Sequence, residues 1–288
     1  MIYLPFMQLH LVYYIAIMYS GTTFRDQSGR LVGVHQRIDQ LARRDLSLVY
    51  TGAGLLHFPS RREILHFEGN NGPDGIKRKS PSVDEPWHFI DPSKPDDRDL
   101  VNIILDHHYN LVEALRHDNR VRAAFEAAWM SHAIVDGLTP AHHYPLSEKI
   151  EELWGKPKEE RLTVLDKNFI HGTTGLDTIN KNWEYWGAKG VFATHWLFEL
   201  GVAASIRTAR FTHTAPTQEW LAEARRLGLE KVFLRSVQRV YAMDMYHTFW
   251  KNGWTTGLAL QTRNELMPEI IRTVTFAWYN ALAEAYSL

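Results

Sequence analysis

Along most of the chain, apolar residues recur three and four positions apart, the spacing that places them on one face of an α-helix. The pattern first occurs in the segment that begins at His35. It then continues with little interruption from Leu100 almost to the end of the sequence. It predicts an all-α fold, a single multi-helix domain over residues 21–288 without a repeat or a linker after residue 100. The predicted helices cover residues 35–49, 100–116, 121–137, 147–169 with a break at Gly155–Pro157, 189–210, 217–227, 229–250 and 264–286.

Two stretches depart from this pattern. Residues 51–99 are rich in Gly, Pro, Asp and Asn, which predicts a long loop. A loop of that length in a compact domain is usually either functional or disordered, and the aromatic Trp87 and Phe89 around His88 argue against disorder. Residues 2–19 are mostly apolar and suit an export signal, a membrane anchor or an N-terminal core element. We favour a signal or membrane-anchor segment within residues 1–20. The protein is then secreted or membrane-associated, with a cytoplasmic location as the alternative.

Composition narrows both the partners and the metals. The formal net charge is −1, so the chain has no broad basic field, and we expect no stable nucleic-acid complex. There is no Cys, so any zinc ion would be bound through His, Asp and Glu. The 15 His residues are enough to supply ligands for several ions.

The most informative segment is AWMSHAIVDGLTPAHHYP, residues 128–145. His132 and Asp136 are four residues apart, which places them on one face of a helix. Val121, Phe125 and Ala128 precede them on the same stripe. The stripe therefore predicts that the imidazole and the carboxylate point inward, where a carboxylate needs a partner such as a metal ion.

The end of that helix supplies a third candidate ligand. Gly137 and Pro140 stop the helix, and the turn brings His142 back toward the same point. A single His-x-x-x-Asp pair is more often an ordinary helix pair. The inward stripe, the Pro turn and the third ligand together favour a metal site.

A second pair, His195 and Glu199, has the same spacing, and Val202 and Ile206 continue its apolar stripe. Two such pairs in a chain without Cys predict a metal centre. Aromatic residues nearby could stack bases or line a lipid cleft, and we expect most of them to lie in the core: Trp183, Tyr185, Trp186 and Trp196.

Other polar residues are less specific on local sequence. A lone His near a helix start, such as His35, is more often a core residue than a ligand. Asp74 in Pro-Asp-Gly suits plain turn chemistry. The run Asp106–His108 is expected to be structural, because adjacent residues on a helix face different directions.

The spacing His132-x3-Asp136-x5-His142, with Pro140 just before the last ligand, resembles that of the zinc-dependent phospholipase C and S1/P1 nuclease superfamily. The segment WHFIDP around His88 is similar to the family's His-aromatic-x-Asp-Pro element. The resemblance covers roughly residues 35–199 and implies a helical domain with a long metal-binding loop and up to three zinc ions in a cleft.

The ligand sets that the resemblance implies are a first zinc on Asp74, His88, His132 and Asp136, a second on His142, His195 and Glu199, and a third on His35 and a bridging Asp136. In the family an N-terminal Trp completes the third site, and no Trp precedes His35 here, so we expect two to three ions. Glu68 and Asp84 are alternatives to Asp74, and His171 is an alternative ligand of the second zinc.

The resemblance implies a zinc-dependent phosphodiester hydrolase, most simply phospholipase C-like. Zinc lowers the pKa of bound water to roughly 7, and Asp74 would serve as ligand or general base. The alternatives are a 3′-nucleotidase or single-strand nuclease on the same scaffold, and a non-catalytic, metal-stabilised helical interaction protein. The expected partners are a phospholipid or another phosphodiester substrate and a membrane surface, and we expect a monomer.

Overall fold

The computed structural model describes residues 33–74, 88–143, 146–156, 160, 169–187 and 190–286. Over these residues the fold is helical and contains no strand, which confirms the all-α prediction. The helices are α1 (Val34–Val49), α2 (Arg61–His66), α3 (Asp99–Arg116), α4 (Arg120–Gly137), α5 (Leu146–Trp154), α6 (Gly175–Trp186), α7 (Val191–Ile206), α8 (Gln218–Leu227), α9 (Leu229–Ala242), α10 (Met245–Asn252), α11 (Thr256–Gln261) and α12 (Met267–Ala285), with 3-10 turns at Ala53–Leu56, Gly69–Asn71 and Pro140–His143 and a π-helical turn at Thr262–Leu266.

The core lies between α1, α3, α4 and α12, which pack against one another. Trp278 of α12 is fully buried, and its indole Nε1 donates a hydrogen bond to the carbonyl oxygen of Ala127 on α4 at 3.1 Å. Met130 and Leu111 are equally buried in the same cluster. Each such side chain contributes about 1.5–3 kcal/mol by leaving water, so α4 is held firmly along its middle and C-terminal turns.

Helix α4 begins and ends for identifiable reasons. The Asn119 side chain caps its first turn by accepting a hydrogen bond from the Arg122 amide at 3.1 Å. At its end, a side chain at Gly137 would meet the Phe233 ring at 2.6 Å, so only glycine permits this packing. The stripe prediction is wrong in one place: Val121 is 71% exposed, whereas Ala123 and Ala124 next to it are buried. At its start α4 therefore buries the face that carries these two alanines and not the face of Val121.

The described parts of the segment 51–99, residues 51–74 and 88–99, contain helical structure where a loop was predicted. They include α2, which starts with a capping box: the Ser60 hydroxyl accepts from the Glu63 amide, and the Glu63 carboxylate accepts from the Ser60 amide at 2.7 Å. Arg120 then binds the Glu63 carboxylate and ties α2 to α4. Together with burial of Ile64, these contacts give a short helix that composition alone did not indicate.

Other helices also differ from the predictions, and α11 is one that was not predicted. The predicted helix 229–250 is broken into α9 and α10 at Asp244, whose backbone is left-handed with φ of 51°. Helix α6 was not predicted. Its apolar residues are spaced as on one face of a helix, but in the structure that face is exposed to solvent: Leu176, Ile179, Trp183 and Trp186.

Between His142 and His195 the chain makes a small unit of its own. Trp154 of α5, Tyr185 of α6 and the intervening Ile170 form a separate apolar cluster. Helix α6 also packs on α7. This unit therefore joins the two halves of the site described below.

None of the described helices combines the length and apolar character needed to cross a membrane. The predicted signal or anchor at residues 1–20 lies outside the described residues.

Candidate metal centre

The site is built around the last two turns of α4. His132 and Asp136 are each 2% exposed, and His132 Nε2 lies 3.3 Å from Asp136 Oδ2. The predicted inward orientation of this pair is confirmed. His88 also reaches Asp136, with its Nδ1 in contact with Oδ2. One ligand atom from each of His88, His132 and Asp136 lies within 4.8 Å of the others.

His35 and Asp74 extend this group. The His35 ring stacks on the His132 ring, with centroids 4.0 Å apart and planes 8° apart, and His35 Nε2 lies 3.4 Å from Asp136 Oδ1. Asp74 Oδ1 lies 3.8 Å from His132 Nε2. His35, Asp74 and His132 form another set whose ligand atoms approach within 4.8 Å. We call these five residues the first cluster: His35, Asp74, His88, His132 and Asp136.

The second cluster consists of His142, His195 and Glu199. Glu199 Oε1 lies 3.1 Å from His142 Nε2 and 3.0 Å from His195 Nε2, and the three ligand atoms are again within 4.8 Å of one another. His142 reaches this position from the 3-10 turn after α4, as the Pro turn predicted. The clusters adjoin, since His142 Nδ1 is 3.9 Å from Asp136 Oδ1.

Backbone contacts hold His88 and His142 together. The His142 Nδ1–H donates to the carbonyl oxygen of His88 at 2.6 Å, and the Ile90 amide donates to the carbonyl oxygen of His142 at 3.2 Å. A proton on Nδ1 leaves Nε2 of His142 as the ring atom that faces Glu199. The segment at residues 88–90 therefore fixes both the position and the tautomer of a predicted ligand.

The ionisable groups stabilise one another's charged forms. Burial alone would raise the pKa of Asp136, but the charges of His132, His142 and His88 hold it well below its ordinary value. Burial alone would lower the pKa of His132, but the charges of Asp136 and Glu68 raise it well above its ordinary value. These buried carboxylates would equally stabilise a divalent cation.

The second cluster shows the same effect. Burial opposes ionisation of Glu199, but the charge of His195 and the hydrogen bond from His142 bring its pKa down to about 2. Burial likewise opposes the charged form of His142, while Asp136 and Glu199 raise its pKa. Asp74 is the most exposed carboxylate of the site, with 31% of its side chain accessible. Burial would raise its pKa, and the charges of His132 and His88 lower it.

The structure separates Asp74 from its alternatives. Asp74 approaches Nε2 of His132, the nitrogen that also faces Asp136. Glu68 approaches Nδ1 of the same ring at 3.3 Å, so it lies at the opposite edge and is not grouped with the other ligand atoms. Asp84 lies outside the described residues. His171 is exposed and contacts Phe169, away from the second cluster.

Three further histidines of the described residues have structural contacts. His107 binds the buried Glu126, and His108 binds Asn280, as expected for the run at 106–108. His143 Nε2 contacts the Gly137 carbonyl oxygen, and burial lowers its pKa to about 4.

A second layer of carboxylates lies beside the site and was not predicted from the sequence. Asp39 lies one turn after His35 on α1, is 1% exposed and accepts a hydrogen bond from the Ser131 hydroxyl. Its spacing from His35 is the same as in the two helix pairs, so this signal was available. The expectation that the nearby aromatics are core residues holds for Tyr185 and is wrong for Trp183 and Trp186, which are 72% and 43% exposed.

No protein-family model matches this chain, and no curated protein or solved structure matches it either.

Proposed function

We propose that this protein is a zinc-dependent phosphodiester hydrolase of the phospholipase C-like kind, with a fold of the phospholipase C/P1 nuclease type. The observation that carries the proposal is the contiguity of the two clusters. Asp136 turns Oδ1 toward His35 and Oδ2 toward His132, while His142 spans the gap between Asp136 and Glu199. Adjoining ligand sets of this kind are what a multi-metal hydrolase needs, and the chain resembles the zinc-dependent phospholipase C and S1/P1 nuclease superfamily in the spacing of these residues.

The donor atoms suit zinc. Imidazole nitrogens and carboxylate oxygens bind zinc at about 2.0–2.2 Å, which places ligands of a tetrahedral ion roughly 3.5 Å apart. Apart from the closer contact between His88 and Asp136, the ion-pair distances within the clusters run from 3.0 Å for His195–Glu199 to 3.8 Å for Asp74–His132 and lie near this separation. His88, His132, Asp136 and Asp74 would hold one ion, and the second cluster another. His35 with Asp136 would serve a third.

When bound, the zinc ions would supply Lewis acids that polarise water and a phosphoryl oxygen near neutral pH. The chain's own contribution is to hold the ligand side chains in place and to accept protons. The buried side chains of His88, His132 and Asp136 are held by one another. Asp74 is accessible and is kept ionised by its histidine neighbours, so it can act as ligand or accept a proton from water.

Two partly accessible carboxylates favour a catalytic over a purely structural site. A structural zinc site is closed by protein ligands. Here Asp74 and Glu199 keep 31% and 13% of their side chains accessible, one in each cluster. Each cluster therefore has one carboxylate that a substrate phosphate could approach from solvent.

The proposal is tested by metal analysis after extensive dialysis, followed by one assay with three substrates. We expect two to three zinc ions per chain and hydrolysis that is lost with a chelator and restored by zinc. Phosphatidylcholine, single-stranded DNA and a generic phosphodiester are compared, and the phospholipid is expected to turn over fastest. Preference for DNA would favour the nuclease alternative, and bound zinc without turnover the structural one. A metal-free protein that is folded and fully active would overturn the proposal.

A further inference from the structure

Glu68 is a buried carboxylate beside the first cluster. It precedes the 3-10 turn Gly69–Asn71, and only 1% of its side chain is accessible. Gly69 has a φ of 63°, and a side chain at Gly72 would meet the Glu68 Cα at 3.0 Å. The left-handed backbone favours glycine at Gly69, and the close approach at Gly72 leaves little room for a side chain. The tightness of the turn fixes where the Glu68 side chain begins.

The Glu68 carboxylate addresses one edge of the His132 ring. Its Oε2 lies 3.3 Å from His132 Nδ1, whereas Asp136 and Asp74 lie 3.3 Å and 3.8 Å from Nε2. The two nitrogens of an imidazole point in different directions. A carboxylate that accepts a hydrogen bond from Nδ1 therefore leaves the Nε2 lone pair for a metal ion.

We propose that Glu68 is a positioning residue that holds His132 with its proton on Nδ1 and its Nε2 directed at the metal; the inference rests on the proposed zinc site. Glu68 is not itself a ligand. Its negative charge also makes the imidazole a stronger donor to the ion. His142 receives the same orientation from the neutral His88 carbonyl, so the first cluster has the more strongly supported histidine.

The test compares Glu68→Gln with Glu126→Gln. The chain offers this control because Glu126 is also buried and also contacts a histidine Nδ1, that of His107, which belongs to neither cluster. Zinc affinity is measured by competition with a fluorescent chelator, and the visible spectrum is recorded after cobalt substitution. Loss of a ligand's hydrogen-bonding partner costs roughly 10–100-fold in metal affinity. We expect about a 10-fold loss for Glu68→Gln with an altered cobalt spectrum, and neither change for Glu126→Gln.

A variant of intermediate strength guards against a folding defect. Glu68→Asp keeps the charge and should recover part of the lost affinity, which a merely space-filling role would not predict. If neither Glu68 variant folds, nitrogen chemical shifts of His132 in the zinc-loaded wild type decide the question. A proton on Nδ1 with Nε2 metal-bound supports the proposal, and ligation through Nδ1 overturns it.

The outcomes separate this inference from the proposed function. Wild-type protein that binds zinc, with Glu68→Gln binding equally tightly and an unchanged cobalt spectrum, overturns the role of Glu68 alone. Wild-type protein that binds no zinc overturns the proposed function and the role of Glu68 with it.

Discussion

The two clusters adjoin but are supported very differently. The first is centred on α4, which is packed in the main core, and Asp136 is contacted there by three histidines of the first cluster. The second draws His142 from a 3-10 turn and His195 and Glu199 from α7, on either side of the small unit at residues 146–187. Its carboxylate Glu199 is contacted by two histidines.

Among His132, His142 and His195, the ring nitrogens that face away from the ligand positions have progressively weaker partners. His132 has a buried carboxylate at Nδ1, and His142 has a backbone carbonyl. His195 Nδ1 is buried and has no hydrogen-bond partner among the described residues. Second-layer partners orient and strengthen metal ligands. The comparison therefore indicates a preorganised first cluster and a second cluster that depends more on the ion itself.

The largest effect is expected from Asp136→Asn compared with Glu199→Gln. Asp136 is shared by the proposed ions, so its loss should weaken zinc binding by more than about 100-fold, above the roughly 10–100-fold cost of losing a second-layer partner. Glu199→Gln should remove only the zinc of the second cluster. Metal content and chelator competition on folded protein, checked by circular dichroism, measure both. Greater total metal loss in Glu199→Gln would reverse the proposed order of the clusters.

The parts of this site that could be predicted from the sequence are the ligand pairs whose two residues lie on the same helix. The pairs His132/Asp136 and His195/Glu199 follow from four-residue spacing on apolar helices, and both point inward as predicted. The distinction between Asp74 and Glu68 did not follow from sequence. Both precede His88 in one segment, and only the fold shows which edge of the His132 ring each of them approaches.

The fold shows a similar division. The pattern that predicted α4 and α12 is dominated by residues that pack in the core. Leu176, Ile179 and Trp183 have helical spacing, so the pattern for α6 was available in the sequence, but it does not report that these residues are exposed. Val121 was misplaced because periodicity alone does not report which face is covered at the start of a helix. Asp244 breaks a periodic segment through a left-handed backbone conformation that hydrophobic spacing does not encode.

A smaller effect is expected in the pH dependence of the metal-free protein. The pKa of Glu199 is lowered from 4.5 to about 2, so its ion pairs stabilise the fold above pH 4.5, and that contribution is lost as the pH falls toward 2. The pKa of His142 is raised from 6.5, so its contribution is present below pH 6.5 and is lost as the pH rises through the raised value. For Glu199 this stabilisation is on the order of 3 kcal/mol at most.

The measurement is the difference in Tm between wild type and Glu199→Gln, recorded in chelator across this pH range. It should be greatest between about pH 4.5 and 6.5. For Asp136→Asn the difference should persist to lower pH, because the pKa of Asp136 is held well below its ordinary value. With zinc, the alkaline decline should disappear, since neutral imidazoles bind the ion. A difference that is constant with pH would contradict the assigned ion pairs.

The smallest effect on zinc binding is expected from the unit that links the clusters. It is probed by Tyr185→Ala, with Trp183→Ala as the matched control. Both residues lie on α6, but Tyr185 is 5% exposed within the small core beside Trp154, and Trp183 is 72% exposed. Truncating a buried aromatic costs up to about 3–5 kcal/mol, and less where the surrounding core is small. Tyr185→Ala should therefore loosen residues 146–187 in hydrogen exchange and weaken zinc at the second cluster several-fold, because α6 packs on α7. The first cluster should keep its affinity, since its helix is held by the main core.

Trp183→Ala should change stability by no more than about 0.5 kcal/mol and leave both clusters unaltered. Equal weakening of the two clusters by Tyr185→Ala would show that they are supported as one unit and not separately.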